Sequence, residues 1–291
     1  MPVFFCISGF LYNSFSASKI ISIQHYIKFI FNKILLFIPP YIFTMFIIGS
    51  IKLLAQKAVH IDYLVTTESI KAMFINPVKG GFVSLLWFLY TLLFIFVVYP
   101  IFEKMFSFLN YYGRTAVYYI LGILPVTNNF CIALVFKYLL FFHIGKALLS
   151  SIYSKEKNDK KIFIKTVFIC LFLTLINLFI VKYNTRGVMF FHAIFGIYIT
   201  ALFCKYCILK NSIPFKAFSV LGYFSFQIYL YHTLGTETTS FFLQHVISNQ
   251  SIFFIFNLIL ATFFGIVLPI LFTKVLAKIS KRFTKVFLRF N

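Results

Sequence analysis

Acidic residues are the scarcest feature of this chain: 6 Asp and Glu stand against 27 Lys and Arg in 291 residues. Asp62, Glu68, Glu103, Glu156, Asp159 and Glu237 all fall in expected loops or at the ends of apolar runs, so the sequence places no carboxylate mid-membrane. A proton-coupled carrier with a buried Asp or Glu relay is therefore disfavoured, because intramembrane carboxylates mark such pathways. No carboxylate–histidine cluster suggests a metal site either. Charged residues of both signs make up only 11%, where soluble domains carry about 25%. The five cysteines (Cys6, Cys131, Cys170, Cys204, Cys207) are scattered through apolar segments. Cys204 and Cys207 form a C-x-x-C with no second pair and no nearby His, which makes them packing residues of a helix rather than metal ligands. Internal repeats, Gly/Ser linkers and long polar tails are missing, which points to one domain. Residues 1–15 lack the basic start and small-residue cleavage site of a secretory signal.

What fills the chain instead is apolar: 61% of residues, with a mean hydropathy of +0.95. A water-soluble fold needs a polar skin that this composition cannot supply; lipid removes the need. The 44 Phe, beside many Ile, Lys and Asn, fit an AT-rich coding bias better than an aromatic binding surface. Crossing roughly 30 Å of hydrocarbon takes about 20 apolar residues. Runs of that length are expected near 34–54, 82–102, 131–149, 162–181, 187–207, 217–235 and 252–276. Shorter ones lie at 2–15 and 115–126, the latter ending in a turn at Pro125, Asn128 and Asn129. The expected fold is an all-α polytopic membrane helix bundle with about nine membrane segments. Alternating the sides of these segments puts eighteen Lys and Arg in one set of loops. Five remain for the other: Lys57, Lys71, Lys79, Lys182 and Arg186. The positive-inside bias then makes the richer side, and the C-terminus, cytoplasmic. Topology thus accounts for the net charge of +21, and nucleic-acid binding is not needed to explain it.

Three short stretches carry chemistry. Phe4-Phe5-Cys6-Ile7-Ser8-Gly9-Phe10-Leu11 holds a small Ser-Gly pair, whose plainer role is close helix packing. Leu86-Trp87-Phe88-Leu89-Tyr90 holds the one Trp, whose plainer role is interfacial anchoring. Ser225-Phe226-Gln227-Ile228-Tyr229-Leu230-Tyr231-His232 ends in a histidine on an otherwise apolar run. Together and in this order they resemble acyltransferase family 3 of integral-membrane O-acyltransferases, the branch that acetylates surface polysaccharides and glycolipid precursors. Two more stretches fit the family's order: Lys33 through Pro39-Pro40-Tyr41, as a basic loop followed by a Pro-Pro-Tyr helix start, and Phe141-Phe142-His143-Ile144-Gly145. The resemblance covers nearly the whole chain. Two departures stand out. The family's first helix, with an Arg and a His some ten residues on, has no counterpart here. Residues 1–291 thus read as a single acyltransferase-like domain that is N-terminally incomplete, its start either misassigned or lost with activity. The family's Arg-x-x-Arg pair is matched by Lys33 and Leu36, and a Lys does not duplicate a guanidinium fork.

The resemblance implies transfer of an acyl group, acetyl above all, from acetyl-CoA as donor substrate, with no permanently bound cofactor. The acceptor would be a hydroxyl of a surface glycan or its lipid-linked precursor, in the plasma (inner) membrane; protein partners are unknown. Such transfer needs a base or nucleophile, oxyanion donors and cations for the CoA phosphates. Histidine suits the base. His25 and His60 sit in loops and His245 beyond the last motif, while His143, His192 and His232 lie within spans. His232 is the catalytic candidate, because it also matches a family motif. Ser8, Trp87, Tyr90, Tyr229 and His192 are candidates for substrate contact. Lys28, Lys33 and Lys146 are candidates for the donor's anionic part, against the plainer reading of a solvated basic rim. Lys137 sits deep enough to face protein or water, while Lys146 and Lys165 can snorkel. A polysaccharide flippase or polymerase-type carrier shares the length, composition and basic loops, but would show broken helices or internal repeats. A structural membrane subunit would leave His232 without a role.

Overall fold

The computed structural model describes residues 1–15, 22–56, 64–124, 129–153, 185–209, 213–247 and 249–288, with Phe168, Phe172 and Leu175. Among them the chain is all-α, as expected, and holds no strand. The helices are α1 (Pro2–Phe15), α2 (Ile23–Ala55), α3 (Thr67–Ile75), α4 (Trp87–Met105), α5 (Tyr111–Ile123) and α6 (Ile132–Tyr153). They continue with α7 (Thr185–Leu209), α8 (Ile213–Tyr223), α9 (Ser225–Val246), α10 (Gln250–Ile279) and α11 (Lys281–Phe287). Of these, α2, α4 and α10 are long and apolar enough to cross a membrane, and Pro2–Tyr12 and His192–Ile208 are shorter apolar stretches. The expectation of about nine segments therefore rests, among the described residues, on three. Most of the expected span 162–181 lies outside them, as do Pro125, Asn128, His60, Lys165 and Cys170.

Helix α10 shows why lipid is the solvent. Its buried positions are Ala261, Gly265, Pro269 and Thr273, one per turn on a single stripe. Phe254, Ile255, Leu258, Ile259 and Phe263 point outward and are exposed. An apolar face of that extent is a liability in water and ordinary in hydrocarbon, where the helix satisfies its own backbone.

Two expected boundaries differ from those observed. The Pro39-Pro40 pair does not start a helix but lies inside α2, which begins sixteen residues earlier at Ile23. The cause is a continuous stripe: Phe29, Phe37, Tyr41, Thr44 and Ile48 are all buried and recur at helical spacing, so the inward face extends through the basic segment. Lys33 lies on that stripe and is half-buried, while Lys28 is off it and exposed. The run near 217–235 is two helices, broken at Phe224, whose φ of −96° and ψ of 7° leave the helical region. Helix α9 then continues to Val246 through a polar segment expected to be loop. There Thr238 and Thr239 hydroxyls donate to the Leu234 and Gly235 carbonyls at 2.6 and 2.7 Å, so these two hydroxyls are satisfied within the helix.

The chain falls into two compact units: Met1–Lys33 with Phe88–Phe215, and Ile34–Trp87 with Lys216–Asn291. In the first, α1 lies against α6 at backbone contact. A Cβ at Gly9 would overlap the Phe142 carbonyl oxygen, and one at Gly145 would overlap that of Cys6. The two glycines are reciprocal, each facing the other helix's backbone. In the second unit α9 and α10 cross the same way, with Gly235 on the Phe264 carbonyl and Gly265 beside His232. We expect Gly9→Val and Gly145→Val each to cost about 1–3 kcal/mol, the range for forcing extra carbons into a packed site. Thermal unfolding in detergent is the check, with Gly196→Val, whose Cβ meets nothing within 4 Å, as the neutral comparison.

Candidate active site

In the first unit the α1–α6 crossing gathers an aromatic nest. Tyr12 of α1 has Tyr99 and Phe142 at 5.4 Å and Phe96 at 6.2 Å between ring centroids. Two lysines sit on these rings. Lys33 Nζ is 4.2 Å from the centroid of Phe96 and 5.4 Å from that of Phe29. Lys146 Nζ is 5.8 and 5.9 Å from those of Tyr12 and Tyr99. The Tyr26 hydroxyl donates to the Val97 carbonyl at 2.7 Å, tying the start of α2 to α4 and fixing the turns that carry Lys33. Lys146 is ion-paired with Glu103, which also has Arg114 Nη1 at 3.8 Å.

Beneath this triad lies His143, 3% exposed. Its Nδ1 is 3.0 Å from the Tyr99 hydroxyl. Its ring stacks on Tyr111 at 4.9 Å and meets Tyr118 edge-on at 4.9 Å. His143 Nε2, the Tyr118 hydroxyl and Arg114 Nε are buried without a hydrogen-bond partner of good geometry among the described residues; the Tyr111 backbone acts on the imidazole as an acceptor.

In the second unit the segment before α4 is held from two sides. Lys52 Nζ donates to the Phe82 carbonyl at 3.1 Å and lies 3.8 Å from Glu237. The Tyr229 hydroxyl donates to the Leu85 carbonyl, so the Ser225–His232 stretch closes on the residue next to Leu86-Trp87. One turn on, His232 Nδ1 lies 3.1 Å from the Ile228 carbonyl and 3.0 Å from the Tyr229 carbonyl. Carbonyl oxygens only accept, so Nδ1 carries a proton, and in the neutral ring Nε2 is the acceptor. Deeper in, the Tyr41 hydroxyl donates to the Met73 carbonyl at 2.6 Å and Thr44 to the Tyr231 hydroxyl at 3.2 Å.

The profile of the acyltransferase 3 family, described as an acyltransferase domain, matches residues 1–277. The chain belongs to this family. It is a membrane acyltransferase, and its apolar helices agree with that assignment. No curated protein and no solved structure matches it closely enough for comparison.

Against that family frame, the sequence-derived candidates sort by unit. Lys33 and Lys146 of the acyltransferase share one aromatic nest, while Lys28 is exposed on the same helix as Lys33. Ser8 is half-buried on α1, its hydroxyl donating to the Phe4 carbonyl at 2.8 Å. His192 is exposed on α7. Trp87 and Tyr90 are half-buried near the start of α4, with Tyr90 5.0 Å from the Phe94 ring. Lys137 is half-buried beside the Tyr138 ring at 5.7 Å. Of the C-x-x-C pair, Cys207 is buried and Cys204 exposed. A cavity of about 250 Å³ between α1 and α7, lined by Cys6, Ile7, Phe10, Ile197, Thr200 and Cys204, has no charged residue at its walls and offers nothing for acyl transfer.

Sequence reasoning missed Arg114, Glu103, Tyr12, Tyr99, Tyr118 and Lys52. The available signal was the early Arg of α5 and the late Glu of α4, two charges flanking a short connection. The Tyr229 bond gives a test of the second site. We expect Tyr229→Phe to lose about 0.5–1.5 kcal/mol of stability, and acyl transfer to fall in membranes where the protein's abundance is unchanged. An unaltered transfer rate would detach the Leu85 clamp from the site.

Proposed function

We propose that this membrane acyltransferase moves an acyl group, acetyl in our reading, from acyl-CoA to a hydroxyl of a surface polysaccharide or its lipid-linked precursor. The observation that carries the reading, within the family, is the tautomer of His232: its Nδ1–H is committed to the Ile228 and Tyr229 carbonyls, which leaves Nε2 to accept a proton. In the proposed step the acceptor hydroxyl gives its proton to Nε2 as its oxygen attacks the thioester carbonyl. The tetrahedral intermediate collapses with cleavage of the C–S bond, and the imidazolium returns the proton to the departing thiolate. Proton and electron pair are balanced without a further reactant. A positioned base of this kind contributes about 10²–10⁴-fold.

Lys33 and Lys146, with Lys28 at the rim, are assigned to the donor's phosphates. Two ammonium groups held on aromatic faces support that assignment, since the donor is polyanionic. Trp87, Tyr90 and Tyr229, with Ser8 and His192, are assigned to the acceptor: ring faces suit a sugar, and Ser8 Oγ keeps lone pairs after donating to Phe4. The enzyme is placed as a multi-pass protein of the plasma (inner) membrane with its C-terminus in the cytoplasm, on the loop charges noted above.

Membranes containing the protein, given labelled acetyl-CoA, are expected to build an alkali-labile label into the glycan or glycolipid fraction. His232→Ala is expected to lower that incorporation by about 10²–10⁴-fold at unchanged abundance. Label that resists mild alkali would overturn the oxygen as acceptor atom. Glycan movement with no transfer would favour a carrier instead.

A further inference from the structure

The ion-pair triad of the first unit is unbalanced. Glu103 faces two cations, Lys146 and Arg114, and Lys33 on the same aromatic nest has no carboxylate partner among the described residues. Purely structural pairing in lipid tends toward one anion per cation, because each uncompensated charge is costly there. Among the described residues the surplus is positive, and an anionic ligand would offset it.

The geometry says where that anion goes. Lys146 holds Glu103 tightly, whereas Arg114 meets the same carboxylate only at 3.8 Å. Its Nε is buried without a partner among the described residues, and its terminal nitrogens meet only Glu103 there. A guanidinium fork matches two phosphate oxygens. The three side chains are each about a quarter exposed, at 24, 25 and 24%, so a ligand can reach them. Their floor is closed and polar. Tyr118 is fully buried and His143 is 3% exposed, and among the described residues neither the Tyr118 hydroxyl nor His143 Nε2 has a hydrogen-bond partner. His143 lies within electrostatic reach of Arg114 and Lys146, and Tyr118 within that of Glu103 and Arg114. Buried polar atoms are rarely left unpaired without a reason, and two of them lie beside the triad with the surplus charge.

We infer that Lys146 and Arg114 form a phosphate-binding site in which Glu103 is the resident counter-anion, displaced when the phosphate of an anionic ligand binds. The ligand class is a pyrophosphate or phosphomonoester; its identity as the acyl donor rests on the function proposed above. Glu103 acts as a positioning and affinity-setting residue. Without ligand it offsets part of the charge of two cations, and with ligand it gives up Lys146. Affinity is thereby set below what the bare cations would give, which favours release of the product.

The test uses full-length protein in detergent and two probes, inorganic pyrophosphate and coenzyme A, read by calorimetry. Glu103→Gln keeps the shape and removes the competing charge, and is expected to bind both probes about tenfold more tightly. Arg114→Gln leaves Lys146 fully paired and is expected to bind about tenfold more weakly. The double variant Glu103→Gln/Arg114→Gln restores the net charge of the triad, so it serves where the single Glu103 change fails to fold. It is expected to bind more tightly than Arg114→Gln alone, because the competing carboxylate is gone. Unchanged or weakened binding in Glu103→Gln, no recovery in the double variant, or no pyrophosphate binding in any form overturns the inference. Pyrophosphate binding with the expected pattern, but no competition by coenzyme A, leaves the phosphate site standing and removes acyl-CoA as its ligand. Coenzyme A binding that ignores all three variants does the reverse.

Discussion

The backbone contact of α1 with α6 is the constraint on which the first unit depends. Lipid tails are as apolar as leucine, so helices in a bilayer gain little from hiding apolar side chains from one another. They associate where small residues let many atoms meet. Gly9 and Gly145 do this from opposite sides, each lying against a carbonyl of the partner helix. The consequences run outward from that crossing. Phe5 stacks on Tyr138 at 4.3 Å, Tyr12 reaches Tyr99 and Phe142, and the rings under Lys33 and Lys146 become one cluster. A side chain at either glycine would push the helices apart and open the nest that holds the cations.

Magnitudes decide what else those cations need. A lysine near the centre of a span costs about 2.5–3.5 kcal/mol on insertion scales. An aromatic face returns about 0.5–1 kcal/mol when exposed and about 2 when desolvated. Rings alone therefore do not balance a deeply placed ammonium. Lys146 has Glu103 as well; Lys33, over Phe96 and Phe29, has rings and partial exposure among the described residues. Lys33 is thus half-buried on the inward stripe of α2 with aromatic faces as its neighbours.

The helical class, the lipid setting and the family-defining stretches were legible because each is a local or compositional property: long apolar runs, few acids, small residues inside a span. What escaped depends on contacts between residues far apart in sequence. Glu103 stood at a span end, where an acid is ordinarily solvated, and only its meeting with Lys146, forty-three positions on, gives it a role. Pro39-Pro40-Tyr41 was expected as a helix start from the family's order of motifs, a place that suits proline. The buried stripe from Phe29 to Ile48 outweighs that preference. The tautomer of His232 is a local matter instead: it is set by carbonyls three and four residues back in the same helix, and no residue type in the motif announces it.

The motifs also pair out of sequence order. Phe4–Leu11 meets Phe141–Gly145 through the reciprocal glycines, and the residue before Leu86–Tyr90 meets Ser225–His232 through Tyr229. The first pair builds a cationic aromatic floor; the second builds a half-buried imidazole with its acceptor nitrogen uncommitted. Each stretch taken alone has a plainer explanation in packing or anchoring, and those explanations remain true: Gly9 does pack, and Ser8 is bonded to its own helix. Packing and chemistry are not rival readings here. The small and aromatic residues that let two helices touch in lipid are the same ones that put Lys146 over Tyr99 and Tyr229 against Leu85. A change that preserves hydrophobicity but not size at these positions therefore reaches the site without touching a charged group.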